Sequence, residues 1–311
     1  MIDPEKISTY PLSERKNKVK IDDFVDPIKS GEARRNIIDI FPDILAGKDI
    51  KDLIKAICKC HREKKEFILM MGAHAIKCGL SPLIIEMLKR GIITHLAGNG
   101  AVAIHDFEIS LIGQTSEDVA SAIEDGSFGM AYETGHHLNQ AYIRGAMENK
   151  GMGESVIDLI KRMSPPYKEY SILHAAGESG VPLTIHTSIG TDIIHQHPGC
   201  SGEALGKTSY QDFLKIADTL SRLEGGIIFN LGSAVVLPEV FLKALTIVRN
   251  LGHEVRKFTA VNLDIIDHYR PRVNVLNRPT QSGGKRIFLR GSMEILVPLI
   301  FYGIFEEMEN G

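Results

Sequence analysis

No long basic run occurs in the 311 residues, and the formal net charge is -3. An electrostatic footprint for nucleic acid or anionic lipid is therefore missing, which argues against polyanionic partners. The polar opening "MIDPEKISTYPLSERKNKVK" holds no apolar leader, so no signal peptide is expected. The longest apolar stretch, "ILVPLIFYGIF", is too short for the ~20 residues of a membrane span and reads as a buried core helix. Four cysteines without a C-x-x-C spacing suggest neither a disulfide framework nor a zinc site, and a cytoplasmic location is expected. G-x-G-x-x-G, Walker A, G-x-S-x-G and H-E-x-x-H are all absent.

What remains is a globular composition, 43% hydrophobic and 24% charged. Residues 1–33 carry three prolines and no sustained period, and read as an extended arm; residues 34–311 read as one domain. Leu53, Ile54, Ile57 and Cys58 mark an amphipathic helix. Beyond it come six short apolar runs, in "EFILMMGAH", "IITHLAGNG", "VPLTIHTS", "GGIIFNLGS", "KFTAVNLDI" and "KRIFLRG", most of them followed by a helical pattern. "SPLIIEMLKRG" has Ser81 as a candidate cap, Pro82 in the first turn and Gly91 at the stop. Continuous apolar strands need cover on both faces, so the expected fold is α/β: a three-layer, Rossmann-like parallel sheet between helices.

In such sheets ligands sit beyond the carboxyl ends of the strands, where His74, Asn99, His186, Gly232, Ser233 and Asp264 are expected to gather. "AGNGAVAIHDFE" sets His105, Asp106 and Glu108 just past a glycine turn. Gly98 and Gly100 would bring backbone amides near a phosphate or ribose at a helix start; an ordinary strand-to-helix turn explains the same spacing. "IHTSIGTDIIHQHPG" holds His186, Asp192, His195 and His197, which suit a metal site, a polar cofactor loop or three unrelated histidines. In "ETGHHLNQ" adjacent His136 and His137 point apart, so at most one faces a site.

The order "FILMMGAHAIKCGLSPLIIEMLKRGIITHLAGNGA", "GVPLTIHTSIGTDII", "IIFNLGSAVVLPEVFLKALTIVRN", "HYRPRV" and "EILVPLIFYGIFE" resembles the deoxyhypusine synthase-like family across nearly everything after residue 65. "LAGNGAVAIHDFEISLIG" with "GHHLNQA" is similar to the carboxy-terminal NAD-binding domain of LOR/SDH-type ornithine cyclodeaminases. Both resemblances imply NAD as cofactor, a small amine as substrate and oxidation of that amine to an imine; the first also implies a homotetramer. Hydride leaves only a neutral amine, so a base is needed, with His105 or His186 as candidates. Asp106, Glu108, Asp192 and Asp264 would anchor the cationic substrate, and Gly72, Gly98, Asn99, Gly100, Thr187, Gly232 and Ser233, with Asp264, would contact NAD.

The synthase's catalytic lysine stands in a W-G-K stretch, whose matching position here falls near Pro279; Lys285 lies six residues on, and the chain has no tryptophan. True deoxyhypusine synthesis is accordingly not expected, and oxidation of a small amine, polyamine or basic amino acid is. Two alternatives stand beside it: a metal-dependent hydrolase on His186, Asp192, His195 and His197, and a catalytically inactive NAD-binding protein of the same fold.

Overall fold

The computed structural model describes residues 37–310, so the expected arm at 1–33 lies outside the described residues. The order of elements is α1 (Leu45–Arg62), β1 (Phe67–Met71), α2 (His74–Lys77), α3 (Ser81–Lys89), β2 (His95–Asn99), α4 (Gly100–Ile112), α5 (Val119–Asp125), α6 (Tyr132–Met147) and α7 (Met152–Met163). It continues with α8 (Ile172–Glu178), β3 (Leu183–His186), α9 (Gly202–Leu220), β4 (Ile227–Leu231), α10 (Val236–Asn250), β5 (Thr259–Asp264), β6 (Lys285–Arg290) and α11 (Met293–Asn310). All six strands lie in one parallel sheet of order β3-β2-β1-β4-β5-β6, as the six apolar runs predict.

Every residue of β1 and β4 is buried, because helices cover both faces. Phe67, Leu69 and Met71 point into the core under α1, α3, α4, α8 and α11; Ile68 and Met70 point into a smaller core under α9 and α10. Leu53, Ile54, Ile57 and Cys58 form the buried stripe of α1 as expected. The run "ILVPLIFYGIF" is a helix with Val297, Ile300, Phe301 and Ile304 fully packed, and no helix among the described residues is long and apolar enough to cross a membrane. Ser81 is a correction: it makes no capping hydrogen bond and is the first residue of α3, with Leu80 before it.

The register aligns the strand ends. Met71 sits beside both Gly98 and Leu231, Asn99 beside His186, Leu231 beside Leu263, and Asp264 beside Arg290. Their carboxyl tips therefore share one edge, and the order reverses between β1 and β4, where ligands enter sheets of this kind.

Candidate active site

The helical period of α4 sorts the residues after the Asn99-Gly100 turn into two sets. Ala101, Ile104, His105, Glu108, Leu111 and Ile112 share the side that faces a cavity of about 800 Å3. Val102, Ala103, Asp106, Phe107 and Ser110 lie on the packed side and are buried. Lys77 from the end of α2, the stretch Gln114–Glu117, Glu133 and Thr134 from α6, and Thr191, Asp192 and Ile193 beyond β3 complete much of the wall.

Inside the cavity Glu108 accepts hydrogen bonds from Thr134 Oγ1 at 3.0 Å and from the Thr115 hydroxyl, whose oxygen is 2.6 Å from His105 Nδ1. Burial, helped by the Lys77 charge, pushes His105 down to about 4, so its ring is uncharged at neutral pH. Glu117 is fixed by the Gly129 N–H at 2.9 Å. Glu108, Glu117, Glu133 and Asp192 present carboxylates, and Lys77 is the single lysine or arginine of the lining. The field in the cavity favours a cation.

Asp192 meets α4 at its start. A Cβ on Gly100 would stand 1.9 Å from Asp192 Oδ2, so glycine there makes room for the carboxylate against the helix N-terminus. Thr187 donates to Asp192 at 2.7 Å, and burial holds this carboxyl above its usual range. His195 Nδ1 accepts from the Gly190 and Asp192 N–H groups at 3.0 and 3.1 Å, which leaves Nε2 as its protonated nitrogen. His197 Nε2 donates to the Gly129 carbonyl at 2.7 Å, its ring filling the place of a Gly135 side chain. His186 is 2% exposed, bonded to Thr184 at 3.0 Å and pushed down to about 3 by burial. These four residues do not converge, and no group of three or more His, Cys, Asp or Glu that could hold a metal ion occurs among the described residues.

The expected gathering of candidates at one cavity is thus partial: His105, Glu108 and Asp192 line it. Asp106 does not, because it is fully buried, accepting from Ser171 Oγ and from the N–H groups of Ile172 at 2.7 Å and Leu173 at 3.3 Å. It caps α8. His186 faces the smaller core instead of the cavity. Lys285 opens β6 opposite Thr259, at the amino-terminal edge of the sheet, roughly 17 Å of strand from the carboxyl tips. A nucleophile for this cavity cannot come from there within the chain.

The expected cofactor contacts divide in two. At the tips of β2 and β3, Gly98 is small because Val102 and Ile185 pack on it, Asn99 Oδ1 caps its own helix through the Val102 N–H at 3.2 Å, and Gly100 and Thr187 serve Asp192. At the reversal point, Gly72 touches Gly232, whose carbonyl would be 2.4 Å from a Gly72 Cβ; Gly232 has φ +63° and lies beneath the Met293 methyl. Ser233 and Asp264 are buried beside it on the same edge. Nearby Asn230 Oδ1 and Asn262 Nδ2 are buried without partners, although the two side chains bond each other at 2.7 Å. Lys77, Thr115, Glu117, Glu133 and Thr134 escaped sequence reasoning, since their spacing to His105 follows no helical or strand period.

No family model matches the chain, and no curated protein matches it in sequence. Solved structures do match in fold. A conserved LOR/SDH protein of Methanococcus maripaludis aligns at 17% identity over 86% of this chain and 71% of its own, with a TM-score of 0.53. AgrE, in a ternary complex with ornithine and NAD+, aligns at 12% identity over 86% of this chain with a TM-score of 0.53. The chain spans only 35% of AgrE's length. A chain of Entamoeba histolytica described as a deoxyhypusine synthase aligns at 13% identity over 84% of this chain and 88% of its own, but its TM-score of 0.44 decides nothing. At these identities the likeness is one of fold.

Proposed function

We propose that the chain is an NAD-dependent enzyme that oxidises a small amine, polyamine or basic amino acid to an imine. The observation that carries the reading is the acidic cavity at the carboxyl edge of the sheet, with an uncharged histidine among its carboxylates. The fold it shares with a protein that binds ornithine and NAD+ supports the choice of chemistry.

The residues at the reversal point fit a dinucleotide. Gly72 is small because the Gly232 carbonyl packs on it, only the flexible end of Met293 covers Gly232, and Asn230 and Asn262 leave an acceptor and a donor unpaired. Gly72, Gly232, Ser233 and Asp264 would hold the cofactor, which when bound supplies the hydride acceptor. The set at Gly98, Asn99 and Gly100 fits less well, its space already taken by Val102, Ile185 and Asp192.

In this reading the carboxylates of Glu108, Glu117, Glu133 and Asp192 draw in the ammonium substrate. Going from ammonium to iminium, it loses one hydride from carbon and one proton from nitrogen, and His105 takes the proton. An ammonium near the lysine value, about 10.4, outranks a histidine near 4, so complete prior transfer would cost roughly 8–9 kcal/mol. That cost supports proton loss coupled to breaking of the carbon–hydrogen bond. Glu108, 3.8 Å from His105 Nδ1, offsets the charge the ring acquires. The test is reduction of NAD+ by the purified chain offered diamines, polyamines and basic amino acids. Turnover of at least one is expected; NAD+ bound and never reduced across the set would favour an inactive NAD-binding protein.

A further inference from the structure

Thr115 stands between the two groups on which the proposed chemistry depends, and a threonine hydroxyl has one proton and two lone pairs. Its proton goes to Glu108 Oε2, while Oε1 of the same carboxylate accepts from Thr134 at 3.0 Å. Facing His105 Nδ1 at 2.6 Å, the Thr115 oxygen can therefore only accept. The proton of a neutral His105 ring then has to sit on Nδ1, and the lone pair belongs to Nε2. No hydrogen bond is made by Nε2, and it is not among the buried unpartnered atoms, so it is open to the cavity that His105 lines.

We propose that Thr115 is a positioning residue: by donating its hydroxyl hydrogen bond to Glu108 it fixes His105 in the Nδ1–H tautomer and turns a free Nε2 lone pair toward the substrate nitrogen. The chain Glu108–Thr115–His105 does what a carboxylate bonded directly to a histidine does elsewhere, with a hydroxyl interposed. A hydroxyl reverses no polarity along the chain, so a proton arriving on Nε2 makes an imidazolium whose Nδ1–H still points at an oxygen backed by Glu108. The carboxylate itself lies 3.8 Å from Nδ1, beyond direct hydrogen bonding, which is why the threonine is needed. Lys77, Glu117, Glu133 and Asp192 share the cavity but make no hydrogen bond to the ring.

The catalytic consequence rests on the proposed amine oxidation; the tautomer does not, and the two are tested separately. Imidazole nitrogen shifts of His105, read by long-range proton–nitrogen NMR on the full chain, report which nitrogen carries the proton without any substrate. The wild type and Thr115→Ser should show protonated Nδ1 and bare Nε2, and Thr115→Val should lose that preference while folding normally. Protonated Nε2 in the wild type, or an unchanged ring in Thr115→Val, overturns the inference even if an amine is oxidised. With a substrate in hand, Thr115→Val should lower kcat ~10²-fold at unchanged KM, and Thr115→Ser should restore it; equal kcat in Thr115→Val also overturns it. Failure to oxidise any amine, with the Nδ1–H tautomer present, would instead count against the proposed reaction alone.

Discussion

His105 and Asp106 are adjacent in the chain and about 100° apart around α4, and this angle separates a cavity residue from a core residue. His105 and Glu108, three apart, share a side. The buried Asp106 carboxylate receives three donors at the start of α8, with burial raising it to about 6, so it is still mostly ionised at neutral pH. Asp106→Asn replaces one accepting oxygen by an amide that confronts a donor, which should cost about 1–3 kcal/mol in urea unfolding. Activity per folded molecule should be unchanged; a folded Asp106→Asn protein with no turnover would put Asp106 back into the chemistry. The sequence alone contained the means to tell the two apart, because the wheel that groups Ala101, Ile104, His105 and Glu108 excludes Asp106. What it did not contain was Thr115, which reaches His105 only because the chain after Gly113 folds back over α4.

At the scale of elements, the strands were legible and the walls of the site were not. Runs such as "FILMM" and "IIFNL" announce strands buried on both faces, and all six pair in parallel. Several helices went unread, α7, α8 and α9 among them; α5 has no buried residue and so no apolar period, and the π-helical turn Pro271–Asn277 opens on a proline between Arg270 and Arg272, which suggests a loop. Asp212 shows a device that no local pattern reveals. From α9 it accepts from the N–H groups of Gly153 and Ile185 at 2.8 Å each, capping α7 and pinning β3, and Gly151 has no Cβ because that atom would stand 1.8 Å from the carboxylate. Asp106 and Asp212 thus cap helices from neighbouring helices, across dozens of residues. The metal reading lacks support for the same kind of reason: His195 and His197, two apart in sequence, each give one ring nitrogen to backbone groups of a turn, and no group of three or more candidate ligands forms among the described residues.

For the whole molecule, buried histidines and buried aspartates pull the pH dependence of stability in opposite directions. His95 and His186 are held down to about 3 and His105 to about 4, chiefly by burial, so each binds a proton more readily in the unfolded chain. Their stabilising effect is complete above the unfolded value of about 6.5 and is lost as pH falls below it, on the order of 2 kcal/mol each by about pH 5. Asp106 and Asp212, raised to about 6 and about 7 by burial, bind protons more readily when folded and recover roughly 1–2 kcal/mol each over the same interval. Asp192, also held above its usual range by burial, adds to the aspartates, so His95→Gln should lessen any fall of the melting temperature between pH 7 and pH 5, and an unchanged pH profile in that variant would show that His95 is not held neutral. The same neutrality underlies the proposed chemistry, in which an uncharged His105 receives a proton from a substrate held by carboxylates. The most direct test is the rate of NAD+ reduction by His105→Gln beside the wild type, using the best amine substrate, with NAD+ affinity measured in parallel. The account predicts kcat at least ~10²-fold lower with NAD+ affinity unchanged; equal rates in the two proteins would contradict it.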